Sequence, residues 1–162
     1  MASYCLKQMT VVMLASVTLV SYARAADADP EWTEFIAFLG VDKDNKEFQQ
    51  FAKKHDLDES TKGPSGSFSS AGHSVSILYR ENKFIRAMVS PRHYASGLKV
   101  YQGNLPFGLT KDSTLDDVIA IFGKPQRRQD DDYLIYRQYN LGFEFLTGKL
   151  SQITLDFPGS QR

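Results

Sequence analysis

The chain has 162 residues, with 19 lysines and arginines against 19 aspartates and glutamates, 12% aromatic residues and a single cysteine. A balanced charge argues against a nucleic-acid or anionic-membrane partner. One cysteine excludes an internal disulfide framework and any cysteine-based metal cluster.

The first 25 residues read as a cleaved signal peptide. Lys7 gives a positive start, Met9 to Val20 carries no charge, and Ala23-Arg24-Ala25 supplies the small-x-small pattern of a cleavage site. The uncharged run is short for a membrane-spanning helix, so no stable membrane insertion is expected after cleavage. Cys5 lies inside this segment and has no lipobox around it. Removing 25 of the 162 residues leaves 137, with 17 basic and 19 acidic side chains, a size that suits one domain, 26–162, in the periplasm or outside the cell. The secreted product is expected to begin at Ala26, which N-terminal sequencing checks. An intact Met1 in the membrane fraction would contradict it.

Trp32, Phe35, Ile36 and Leu39 then recur at helical spacing, and Gly40 ends that helix. Asp44 and Glu47 form a capping-box-like pair ahead of a second helix, whose apolar face is Phe48, Phe51 and Ala52. Residues 59–72 are turn and loop chemistry, with at most a short edge strand around Phe68. Strands are predicted over 73–80 and 84–90, followed by a linker over 91–106. A third helix carries Leu115, Val118, Ile119 and Phe122 on one face, capped by Ser113 or Thr114 and stopped by Gly123 and Pro125. Strands follow at about 133–139, 141–146 and 150–157. The expected core parity is Val75, Ile77, Tyr79, Ala87 and Val89, with Leu141, Phe143, Phe145, Ile153, Leu155 and Phe157.

The two halves can be laid on each other by chemical class, helix on helix and hairpin on hairpin. The fold expected from this is α+β: two tandem helix-then-antiparallel-meander units, about 30–90 and about 107–157, in one domain. The second unit resembles a known family. Leu105-Pro106-Phe107-Gly108-Leu109, the helix ending Phe122-Gly123-Lys124-Pro125, and Gly142-Phe143-Glu144-Phe145 with Gly148-Lys149-Leu150 look like the repeat of the β-lactamase-inhibitor-protein-like (BLIP-like) fold. A similar pattern occurs in small outer-membrane assembly lipoproteins of the SmpA/OmlA group. The resemblance implies an exported protein that binds other proteins, as an inhibitor or immunity factor. The chain departs from the lipoproteins in lacking a lipid-attachable cysteine, and from the inhibitor in lacking its disulfides.

No catalytic, cofactor or metal site is expected. His55, His73 and His93 fit no ligand spacing. Asp42-Lys43-Asp44 opens like a calcium loop, but Lys46, Glu47 and Lys53 occupy positions that the loop needs for ligands and glycine. Gly63-Pro64-Ser65-Gly66-Ser67 matches neither a nucleophile elbow nor a phosphate loop. Asp130-Asp131-Asp132 reads as turn charge after Arg127-Arg128.

The strands are unusual in their tyrosines and arginines, residue types enriched at protein-binding hot spots. Tyr133, Ile135, Arg137 and Tyr139 share one face of strand 133–139, and Leu134, Tyr136 and Gln138 share the other; periodicity alone leaves the inward face open. Strand 84–90 presents Phe84, Arg86 and Met88 together. The expected partner-binding residues are therefore Tyr133, Tyr136, Arg137, Tyr139, Phe84, Arg86 and Met88. The expected function is an exported protein-binding module of inhibitor or immunity type, and not an enzyme. The alternatives are an envelope-assembly or scaffold factor and a small secreted hydrolase.

Overall fold

A computed structural model describes residues 30–70, 73–93, 100–129 and 132–160. The signal-like segment 1–25, Ala71 and Gly72 of the serine-rich loop, residues 94–99 of the linker, and Asp130 and Asp131 lie outside the described residues.

Three helices, α1 (Pro30–Ala37), α2 (Lys46–Lys54) and α3 (Leu115–Phe122), accompany eight strands. The strands are β1 (Asp58–Glu59), β2 (Ser65–Ser69), β3 (Val75–Arg80), β4 (Lys83–Val89), β5 (Arg127–Gln129), β6 (Tyr133–Tyr136), β7 (Leu141–Leu146) and β8 (Lys149–Asp156). All eight form one antiparallel sheet in the order β1-β2-β3-β4-β8-β7-β6-β5.

This overturns the expected α+β assembly of two helix-then-meander units. The fold is dominated by one continuous eight-stranded sheet, and its helices are only eight, nine and eight residues long. The physical reason is the central seam. β4 and β8 pair directly from Arg86↔Asp156 to Val89↔Ile153, so backbone hydrogen bonding runs unbroken across the molecule. Residues 65–69, expected as loop with at most a short edge strand around Phe68, and 127–129, outside every expected strand, add further strands at the sides. No helix among the described residues is long and apolar enough to cross a membrane.

The helices cover one face of the sheet. Phe48, Phe51 and Ala52 of α2, with Phe35 of α1, pack on Phe68, Ile77, Tyr79, Phe84 and Ala87. Trp32 and the α3 residue Val118 join Leu134, Tyr136, Leu141, Phe143, Phe145, Leu150 and Ile153 in a second cluster, and Val75 touches both. Asn45, not Asp44, caps α2: its Oδ1 accepts from the N–H of Glu47 at 2.9 Å and of Phe48 at 3.0 Å. Thr114 and Asp117 close a reciprocal capping box on α3. Phe157, expected in the core, is 39% exposed, because β8 ends at Asp156 and the Phe157 ring lies against Gly40.

One irregularity decides which side chains face out. Between Tyr79↔Phe84 and Leu78↔Arg86 the register shifts, so Ile85 is an extra residue in β4. Such a bulge reverses the alternation on either side of it. Phe84 therefore points into the core while Arg86 and Met88 face the opposite side. A matching shift between Glu144↔Gln152 and Phe145↔Leu150 makes Ser151 the extra residue in β8.

Candidate functional site

The face away from the helices carries a different set of side chains. One row crosses seven strands through the pairings Ser69↔Ser76, Ser76↔Met88, Met88↔Thr154, Thr154↔Gly142, Gly142↔Ile135 and Ile135↔Arg127. Beside it run Leu78, Arg86 and Asp156 on one flank, and Gln152, Glu144 and Tyr133 on the other. Every apolar helix residue of the two clusters packs on the other side of the sheet. Among the described residues, then, no helix packs on this face. Its β2–β4 end is approached by the loop residues His73, Arg92 and His93.

The centre of the face is a polar cluster. The Arg86 guanidinium donates to both Asp156 oxygens, Nε to Oδ1 at 2.5 Å and a terminal nitrogen to Oδ2 at 3.2 Å. The Asp156 side chain is only 6% exposed, so this two-point pair supplies the charge that its burial demands. Tyr133 leans over Gly142, where a Cβ would come within 3.0 Å of its hydroxyl oxygen. Glycine there lets the ring lie along the sheet. Burial, then the neighbouring Glu144 carboxylate, push the Tyr133 hydroxyl's pKa up, so it stays a neutral hydrogen-bond donor. Gln152 Nε2 reaches Thr154 Oγ1 at 3.2 Å and Glu144 Oε1 at 3.5 Å, the latter at the long limit of a hydrogen bond.

Glu144 is half-buried, and burial raises its carboxyl pKa against the opposing field of Arg86. The protonated form thus suits the fold better than the ionised one. That contribution to stability is complete below the ordinary carboxylate range and is lost as pH rises through the raised value. Glu144→Gln is expected to raise the melting temperature at neutral pH, with the gain vanishing in acid. Thermal melts of both proteins across that range check it, and equal melting temperatures throughout would contradict it.

The seven expected binding residues divide. Tyr133, Arg86 and Met88 meet on the open face. Phe84 and Tyr136 do not belong there: both are fully buried beneath the helices, Phe84 because of the Ile85 bulge and Tyr136 by the parity of β6. Arg137 and Tyr139 are not on a strand at all. They sit in a 3-10 turn closed by Asn140 in the left-handed region at φ 55°, where Arg137 is exposed and the Tyr139 ring lies tilted against Phe122, centroids 5.7 Å apart. Asp156, Glu144, Gln152 and Thr154 are not among the expected residues, although Glu144, Thr154 and Asp156 each stand between apolar neighbours along β7 and β8, a legible sign of a second sheet face.

Comparison of the chain with protein-family models, curated proteins and solved structures returned no match. What this protein does has to be read from its own surface.

The cluster offers neutral donors, a desolvated carboxyl and a fixed ion pair, with apolar area from Met88, Leu78 and Ile135. That mixture suits recognition of a surface. Among the described residues no three metal-ligating side chains converge, and no serine hydroxyl on this face is hydrogen-bonded to a histidine.

Proposed function

We propose that this protein is an exported protein-binding module of inhibitor or immunity type, which docks its partner on the open face of the sheet. The observation that supports it is a face on which, among the described residues, no helix packs, with Tyr133, Arg86 and Met88 around its centre. Its extent suits a protein. The row from Ser69 to Arg127 spans six inter-strand steps of about 4.8 Å, roughly 29 Å. A standard interface buries about 800 Å² per partner, a square about 28 Å on a side. Its composition suits one as well, because Tyr and Arg anchors ringed by hydroxyls and amides are what hot spots and their rims are made of.

The test is site-specific photo-cross-linking after affinity capture from envelope extract. A cross-linker at Met88 or Ile135 is expected to trap the captured protein, while one at exposed Gln50 of α2 or Ala120 of α3 is not. Trapping only from the helical side would overturn the reading.

A further inference from the structure

We propose that the cavity at the β2–β4 end of the open face receives one basic side chain, lysine or arginine, from the docked protein, with Glu144 as its counter-charge. This rests on the reading of the open face as a docking surface, and it specifies what the partner must present there.

The cavity measures about 420 Å³ and is walled by Leu78 and Met88, by serines of β2, β3 and β8 and Ser90 just after β4, by Gln152 and by Glu144. The thioether and leucine side chains are suited to a methylene stem, and the hydroxyl and amide oxygens to the N–H donors at its tip. The charge ledger of the face then selects the sign of the guest. Arg86 is committed to Asp156. Arg92, at the far wall, has its charge paired with Asp112, donating to Oδ1 at 3.1 Å and to the Lys111 carbonyl at 3.2 Å, while its Nε is buried without a hydrogen-bond partner. His73 and His93 also line that wall. Glu144 has no basic side chain within ion-pair distance among the described residues. Of the lining carboxylates and guanidinium groups, the one without an ion-pair partner among the described residues is therefore the Glu144 carboxylate. An acidic guest would meet it with repulsion, and an apolar guest would desolvate it without compensation. A cation removes the penalty that ionised Glu144 carries in the free protein.

The test uses the whole protein, labelled with ¹⁵N and titrated at constant ionic strength with N-acetyl-lysine methylamide. N-acetyl-norleucine methylamide serves as the uncharged control of similar shape. The lysine probe is expected to give saturable amide shifts at Ser90, Glu144, Ser151 and Gln152, binding about tenfold more tightly than norleucine, as a charge-assisted hydrogen bond allows. Glu144→Gln is expected to abolish that preference and, on the captured partner, to weaken binding by about tenfold. Equal shifts with both probes, shifts confined to other surfaces, or a preference that survives Glu144→Gln would overturn the proposal. If the partner cross-links from Met88 but binds Glu144→Gln unchanged, this inference falls while the docking face stands. If the partner cross-links only from the helices, the docking face falls, and the cavity's assignment to a partner side chain falls with it.

Discussion

Phe84→Ala is expected to destabilise the protein by about 3–5 kcal/mol, a large share of the roughly 5–15 kcal/mol that holds a domain together. Phe84 is fully buried, and its ring centroid lies 4.1 Å from Phe48, 6.1 Å from Phe68 and 6.2 Å from Tyr79. It therefore ties α2 to the sheet at the centre of one core cluster, and removing it leaves a cavity that the surrounding rigid rings cannot close. Urea denaturation of the variant measures the loss. A cost below about 1 kcal/mol would place Phe84 on the outer face instead and undo the bulge at Ile85.

Tyr136→Ala is expected to cost a similar amount, about 3–5 kcal/mol. Its ring packs 5.4 Å from Phe122 and 5.9 Å from Phe143, and its hydroxyl donates to the Gly123 carbonyl at 2.8 Å. That bond ties β6 to the C-terminal end of α3, where the last turn leaves carbonyls unpaired. Tyr136→Phe keeps the ring and removes only the bond, so it should cost about 1 kcal/mol. Three residues away, Tyr133→Ala removes a side chain of the open face and should stay within about 1 kcal/mol of the parent. Equal losses for Tyr133→Ala and Tyr136→Ala in the same denaturation series would contradict the assigned parity of β6.

Much of the local structure was legible in the sequence, because it follows from local periodicity and capping. The faces of α2 and α3 stand in the spacing of Phe48 and Phe51 and of Leu115 and Val118, and the Thr114 cap is among the two that the sequence offers. The alternation of Leu141, Phe143 and Phe145 places the inward side of β7. What escaped depends on non-local pairing or on broken rhythm. The β4–β8 seam joins residues 64 to 70 positions apart and leaves no mark in either strand alone. A period of two assigns Phe84, Arg86 and Met88 to one face, and the extra residue Ile85 separates the first from the others. Arg127, Arg128 and Gln129 contain no apolar residue, so the edge strand β5 gives no alternation to read. Of the site, Tyr133 and Arg86 stand out in the sequence by residue type, and Met88 by its spacing from Arg86. Glu144 and Asp156 do not, because their significance lies in burial and pairing rather than residue type.

Calorimetric titration of the captured partner with Tyr133→Ala tests most directly whether the open sheet face holds the partner. The expected result is a loss of about 2 kcal/mol or more in binding free energy with the fold retained, while Tyr139→Ala, on the turn beside Phe122, leaves affinity nearly unchanged. Affinity within a few tenths of a kcal/mol of the parent for Tyr133→Ala, together with a clear loss for Tyr139→Ala, would contradict it.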